Sequence, residues 1–113
     1  MKIGIIGQGY VGTAIKSGFE KYYELETYDK FSTSKSTVNL HDLVLLSDVI
    51  FVCVPTPMSV DGSCHIGIVE EVVSEVNEIS ISSESNPIVV IKSTVPPGTT
   101  DRLNKKYKNI NII

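Results

Sequence analysis

At 113 residues, 42% hydrophobic and 20% charged, the chain has room for one globular domain and none for a second. Ten basic against thirteen acidic side chains leave a net charge of −3, without the broad positive surface that a nucleic-acid backbone demands. No uncharged run approaches the roughly 20 residues that span a bilayer, so neither nucleic acid nor membrane is an expected partner.

Lys2 stands directly before a strand-like run with no signal-peptide cleavage site, which points to a cytoplasmic protein. Cys53 falls in an apolar run and Cys64 in a loop, a usage that suits free thiols in a reducing compartment.

The hydrophobic period alternates between strand and helix along the chain. KIGII (2–6) reads as a strand ended by glycine; Val11, Ala14, Ile15, Gly18, Phe19 and Tyr22 then recur at helical spacing. ELETY (24–28) reads as a second strand, and 31–36, with three serines and a threonine, as a soft stretch. Asn39 is placed to cap a short helix carrying Leu40, Leu43 and Val44. DVIFVCV (48–54) reads as a continuous buried strand stopped by Pro55 and Pro57. Beyond a polar loop, Ile66, Val69, Val73 and Val76 mark one face of a longer helix, and PIVVIKS (87–93) another buried strand. Pro96, Pro97 and Gly98 punctuate the entry to a third major helix, and NINII (109–113) closes the chain as a strand. Strands that alternate with helices and are apolar throughout imply an α/β fold. The expected architecture is a Rossmann-type doubly wound, mainly parallel sheet with helices on both faces.

GQGYVG (7–12) fits G-x-G-x-x-G where that pattern carries meaning, directly after a first strand and opening a helix. There Gly7 makes the tight turn, Gly9 lets a pyrophosphate approach the backbone, and Gly12 lets helix and strand pack closely. The helix end adds free N–H groups and roughly half a positive elementary charge, which attract phosphate. Asp29 follows the second strand, where a carboxylate can accept hydrogen bonds from the adenosine ribose hydroxyls and would repel a 2′-phosphate. NAD is therefore favoured over NADP, with Lys30 and Lys35 close enough to pull the other way. Methyltransferases share a glycine-rich first turn but usually carry an acidic residue just before the glycines, where Ile5 and Ile6 stand here.

CVPTP (53–57) and KSTVPPGTT (92–100) sit at the C-terminal ends of what the pattern counts as the fourth and fifth strands, the edge where open α/β sheets bind ligands. Proline fixes the exit direction of each loop and so would aim Thr56 and Thr94 into the crevice. Taken singly, each threonine reads as a turn or capping hydroxyl.

GQGYVG, CVPTP and KSTVPPGTT, in this order and spacing, resemble the N-terminal NAD-binding domain of the UDP-glucose and GDP-mannose 6-dehydrogenases, over essentially all 113 residues. Such enzymes oxidise the C6 alcohol of a nucleotide sugar to a carboxylate and reduce two NAD in succession. The resemblance implies cofactor contacts from Tyr10 and Val11, from Asp29 on the ribose, from Lys35, and from Thr56 and Thr94, with Thr94 nearest the chemistry in a supporting role. His65 departs from the family, which usually has an acidic residue after the VDG turn, and Lys35 comes one position late.

In the family a cysteine nucleophile, with a lysine and an aspartate, lies in a later substrate domain. The reading for residues 1–113 is therefore the NAD-binding domain alone, without the catalytic domain and not competent for the full reaction. Neither Cys53 nor Cys64 is expected to act as nucleophile. The apolar run at 109–113 would form a bare sheet edge, so either a truncated piece of a longer dehydrogenase or a homo-oligomer joined through that edge is expected. Two other readings fit the fold: a binding-only nucleotide module, and a domain of an NAD(P)-dependent 2-hydroxyacid or 6-phosphogluconate-like dehydrogenase.

Overall fold

The computed structural model describes residues 1–57 and 66–113. Met58 to His65 lie outside the described residues, and with them the readings placed on Cys64 and His65. The chain runs β1 (Lys2–Ile6), α1 (Tyr10–Phe19), β2 (Glu24–Tyr28), a 3-10 turn (Thr33–Lys35), α2 (Leu40–Leu46), β3 (Val49–Val52), α3 (Gly67–Ser83), β4 (Ile88–Ile91), α4 (Thr99–Lys106) and β5 (Asn111–Ile112). All pairings are parallel, in the order β2-β1-β3-β4-β5. From β1 the chain steps one way to β2, then crosses back to β3 on the other side. The switch point therefore lies between the C-terminal ends of β1 and β3, where open α/β sheets form their crevice.

Strand parity sets the two layers. A side chain at Gly4 would run into Leu43 and Ser47 at the end of α2, so Gly4 and its alternate neighbour Ile6 face that layer. Ile6, Ile50, Val52 and Val89 from the sheet join Leu43 and Val44 of α2, Val69, Val73 and Val76 of α3 and Leu103 of α4 in one buried cluster. Burial of this set removes apolar surface worth roughly 25 cal/mol per Å², the main term favouring the fold. Asn39 caps α2 as its type and position predict, its Oδ1 accepting from Asp42 N at 2.8 Å.

Several sequence expectations change in detail. CVPTP and KSTVPPGTT follow β3 and β4, the third and fourth strands in chain order, one place earlier than the fourth and fifth of the sequence count. The continuous run at 48–54 is a four-residue strand of alternating burial. Its half-buried residues Val49 and Phe51 face the layer that carries α1.

On that thinner layer Phe19 stacks on Phe51 with ring centroids 6.0 Å apart, and Gly12 is the single buried residue of α1. Val11, Ala14 and Gly18, expected on the packed face, are exposed, and Tyr22 lies beyond the end of α1, 77% exposed. α1 covers Ile3 and Ile5 of β1 on this face, and among the described residues no second helix packs beside it. The stretch 31–36 is tied down: Ser36 Oγ accepts from Asp29 N at 2.8 Å, and Thr27 Oγ1 donates to the Lys35 carbonyl at 2.7 Å. β5 pairs with β4 at the sheet edge as Asn111–Ile112, shorter than the run 109–113.

Candidate functional site

β1 ends at Gly7, which turns the chain with φ of 97°, a left-handed conformation that side chains disfavour. A Cβ there would also stand 2.6 Å from the Cys53 carbonyl oxygen, so the turn closes directly over the end of β3. Gly7 N donates to the Tyr28 carbonyl at 2.8 Å and Cys53 N to the Ile6 carbonyl at 2.8 Å, which locks the three strand ends together. Gly12, on the first turn of α1, lies beneath this turn; a Cβ would approach the Gly7 carbonyl oxygen to 1.9 Å. Gly9 differs from both. It stands as the N-cap of α1 at φ of −76°, and a Cβ there would meet nothing within 4 Å. Among the described residues its bareness therefore serves no neighbour, and it faces open space.

That space is a cleft of about 520 Å³ at the switch point, within the usual range for small-molecule and cofactor sites. Gly7, Gly9, Tyr10, Val11, Asp29, Lys35, Thr56 and Thr94 all line it, so the structure brings together every predicted contact except Gly12, which supports the floor from below. No side chain caps the N-terminus of α1 and no acidic residue stands in its first turn. Its first backbone N–H groups therefore have no intrahelical acceptor and point their dipole into the cleft.

Asp29 ties two stretches of backbone together. Its Oδ2 accepts from Gln8 N at 2.8 Å and its Oδ1 from Phe31 N at 2.9 Å, so one carboxylate clamps the glycine turn to the loop after β2. Each oxygen has capacity to accept a further hydrogen bond, and Asp29 lines the cleft. Around it, Lys35 Nζ donates to the Gln8 carbonyl at 3.4 Å, and Lys30 Nζ lies 3.5 Å from Glu71 Oε1 on α3. On the far side, Ser93 Oγ donates to the Val54 carbonyl at 2.7 Å and joins the two proline-bearing loops that carry Thr56 and Thr94.

Cys53 lies one residue past β3 and lines the cleft, half-buried, instead of sitting within the strand. Burial pushes its thiol up to about 11, with the Lys92 ammonium pulling weakly the other way. A thiol so protonated at neutral pH is a poor nucleophile, in line with the expectation that it does not attack substrate. Among the described residues no cluster of three or more His, Cys, Asp or Glu could hold a metal ion, and no helix is long and apolar enough to cross a membrane.

Three cleft residues escaped the sequence reading. Gln8 is only 3% exposed, its Nε2 donating to the Gly7 carbonyl at 3.3 Å and its own carbonyl accepting from Thr13 Oγ1 at 3.2 Å. It occupies an unspecified position of the glycine pattern, which carries no signal. Ser93 lies inside KSTVPPGTT, where a hydroxyl beside proline was the available clue. Glu71 reaches the cleft from the exposed side of a helix recognised only by its buried face.

A family sequence profile described as the UDP-glucose/GDP-mannose dehydrogenase family, NAD binding domain, matches residues 24–111. An uncharacterized protein of Methanocaldococcus jannaschii is 41% identical over 66 residues, covering 58% of this chain and 7% of its own length. A GDP-mannose 6-dehydrogenase of Pseudomonas aeruginosa is 31% identical over 102 residues, covering 90% of this chain and 23% of its own length. Among solved structures, a ternary complex of GDP-mannose dehydrogenase from Pseudomonas aeruginosa superposes with a TM-score of 0.84 at 24% identity, covering 99% of this chain and 35% of that one. This likeness is one of fold. The chain thus spans well under half the length of these relatives.

Proposed function

The chain belongs to the UDP-glucose/GDP-mannose dehydrogenase family, as its NAD binding domain, and on that premise we propose that it forms the dinucleotide-holding part of a nucleotide-sugar 6-dehydrogenase. The observation that carries the reading is Gly9: a bare N-cap opening onto the cleft, at a helix end with no capping side chain and no first-turn carboxylate. The backbone N–H groups of Tyr10 and Val11 would bind the pyrophosphate there, on a floor kept low by Gly7 and Gly12. The free lone pairs of Asp29 would accept from the adenosine ribose, while Lys35 steadies the glycine turn through the Gln8 carbonyl. Thr56 and Thr94, on loops joined by Ser93, would orient the other ribose and the nicotinamide ring. Bound NAD supplies the hydride acceptor for oxidation of an alcohol.

The partition we propose assigns residues 1–113 to dinucleotide binding, and the nucleotide sugar and the nucleophilic thiol to a further domain or polypeptide. What supports it is the length of the relatives, of which this chain matches less than a third in the curated dehydrogenases. Calorimetric titration with NAD tests the reading. Binding is expected, weakened by Gly9→Leu, whose Cβ enters open space in the cleft; a flat heat trace from folded protein refutes it. Incubated with NAD and UDP-glucose or GDP-mannose, the 113-residue chain is expected to form no NADH, and steady turnover would overturn the partition.

A further inference from the structure

Lys30 and Lys35 flank Asp29, and an ammonium group in that position is what the 2′-phosphate of NADP would need as a counter-charge. Both are engaged elsewhere. Lys35 Nζ is turned onto the Gln8 carbonyl at 3.4 Å. Lys30 Nζ lies 3.5 Å from Glu71 Oε1, and Glu71 belongs to α3, a different wall of the same cleft. Glu75, one turn further along α3, also lines the cleft, so that wall presents two carboxylates.

We infer that Glu71 is a second determinant of the choice of NAD over NADP, acting with Asp29 by withholding the Lys30 ammonium from a 2′-phosphate. The inference rests on the dinucleotide reading of the cleft. A 2′-hydroxyl is neutral and leaves the Lys30–Glu71 pair undisturbed, whereas a phosphate monoester carries nearly two negative charges at neutral pH. To bind, that phosphate must either sit among the carboxylates of Asp29 and Glu71 or separate Lys30 from its partner. Both routes cost the phosphorylated dinucleotide and spare the other. Glu71 therefore acts on selectivity more than on affinity for NAD.

The test is calorimetric titration of wild type, Glu71→Gln, Lys30→Gln and the double variant with NAD and with NADP, at low ionic strength. Glu71→Gln is expected to tighten NADP binding about 3- to 10-fold, the scale of one exposed ion pair plus one like-charge contact, with NAD changing less than about twofold. Lys30→Gln in the Glu71→Gln background should erase the gain, because the freed ammonium is its source. High salt should shrink it as well. The Glu71 side chain is 57% exposed, so the substitution leaves packing intact, and Glu71→Ser is expected to behave alike. An unchanged ratio of the two affinities in Glu71→Gln overturns the inference while NAD binding by wild type stands. The same holds for a gain that survives loss of Lys30, or wild type binding both dinucleotides equally. Wild type binding neither removes this inference and the proposed function together.

Discussion

Gly12→Ala separates two opposed effects by the sign of one number. Alanine exceeds glycine in helix propensity by up to about 1 kcal/mol, so local preference alone predicts a more stable protein. The structure predicts the reverse. A Cβ at Gly12 would lie 1.9 Å from the Gly7 carbonyl oxygen and 2.9 Å from its carbon, both backbone atoms of a turn. That turn is itself fixed by Gly7 N on the Tyr28 carbonyl and pressed against Cys53. Relief requires α1 to lift from the sheet, which loosens the Phe19–Phe51 stack on the thinly covered layer. Overpacking of this kind costs roughly 2–3 kcal/mol, leaving a net loss of about 1–2 kcal/mol after the propensity gain. In a chain of this size that lowers Tm by roughly 4–10 °C in a thermal unfolding scan. Gly9→Ala is the matched comparison: its Cβ enters open space at an ordinary φ, so its cost stays under about 1 kcal/mol, the loss of a glycine N-cap. A Gly12→Ala protein melting at or above wild type would refute the close-packing argument and, with it, the assignment of Gly12 as the floor of the cleft.

Asp29→Ala strands the Gln8 and Phe31 N–H groups, each losing a charged acceptor worth about 1.5 kcal/mol; NAD affinity by calorimetry should fall at least about tenfold, and Asp29→Asn, keeping one acceptor oxygen, should fall less. In a Cys64→Ser background Cys53, with its thiol pushed up to about 11, should react with iodoacetamide at pH 8 roughly a hundredfold more slowly than a free thiol, and more slowly still with NAD present; fast labelling would contradict its burial. Glu70 joins α3 to α4 through Lys106 at 2.9 Å and Arg102 at 3.4 Å, and these partners hold its carboxyl below the ordinary value. A depressed carboxyl adds stability above its unfolded value near pH 4 and loses it as pH falls through the lower folded one. Tm of wild type should therefore exceed that of Glu70→Gln at pH 7 and converge with it in acid; a gap that persists below about pH 3 would show that charge is not its cause.

What was legible in the sequence was what backbone chemistry dictates locally. A glycine at φ of 97° and a glycine under a carbonyl oxygen leave marks no other residue can supply, so the turn, its floor and the strand before it could be placed from GQGYVG. The apolar runs likewise located β3 and β4, each read two residues too long at its C-terminal end, and the loops carrying Thr56 and Thr94. The packing of α1 was not legible, because helical periodicity reports which face is apolar and not whether a neighbouring layer exists to cover it. Tyr22 and Val11 have the right spacing and yet are exposed. Long-range polar contacts were silent for a different reason: Lys30 and Glu71 are 41 positions apart, and nothing local distinguishes a surface glutamate that reaches a cleft from one that meets water.

Asp29 shows why the two halves of the motif stand at a fixed remove in sequence. On the proposed reading the start of α1 must keep its N–H groups open to a ligand, while the turn before it has to hold one shape. The carboxylate after β2 resolves the conflict by accepting from Gln8 N, the one amide between the two glycines, while β1 and β2 pair in parallel from Lys2↔Glu24 to Ile6↔Tyr28. That register ends both strands level, so the first residue past β2 falls beside the second residue past β1. The acid is thus delivered to the turn by strand pairing, and on the proposed reading the group that would accept from the ribose also sets the geometry of the turn that would hold the phosphates. A substitution there would then act on both ends of the adenosine diphosphate at once, which is why its effect on affinity should exceed the loss of a ribose hydrogen bond alone.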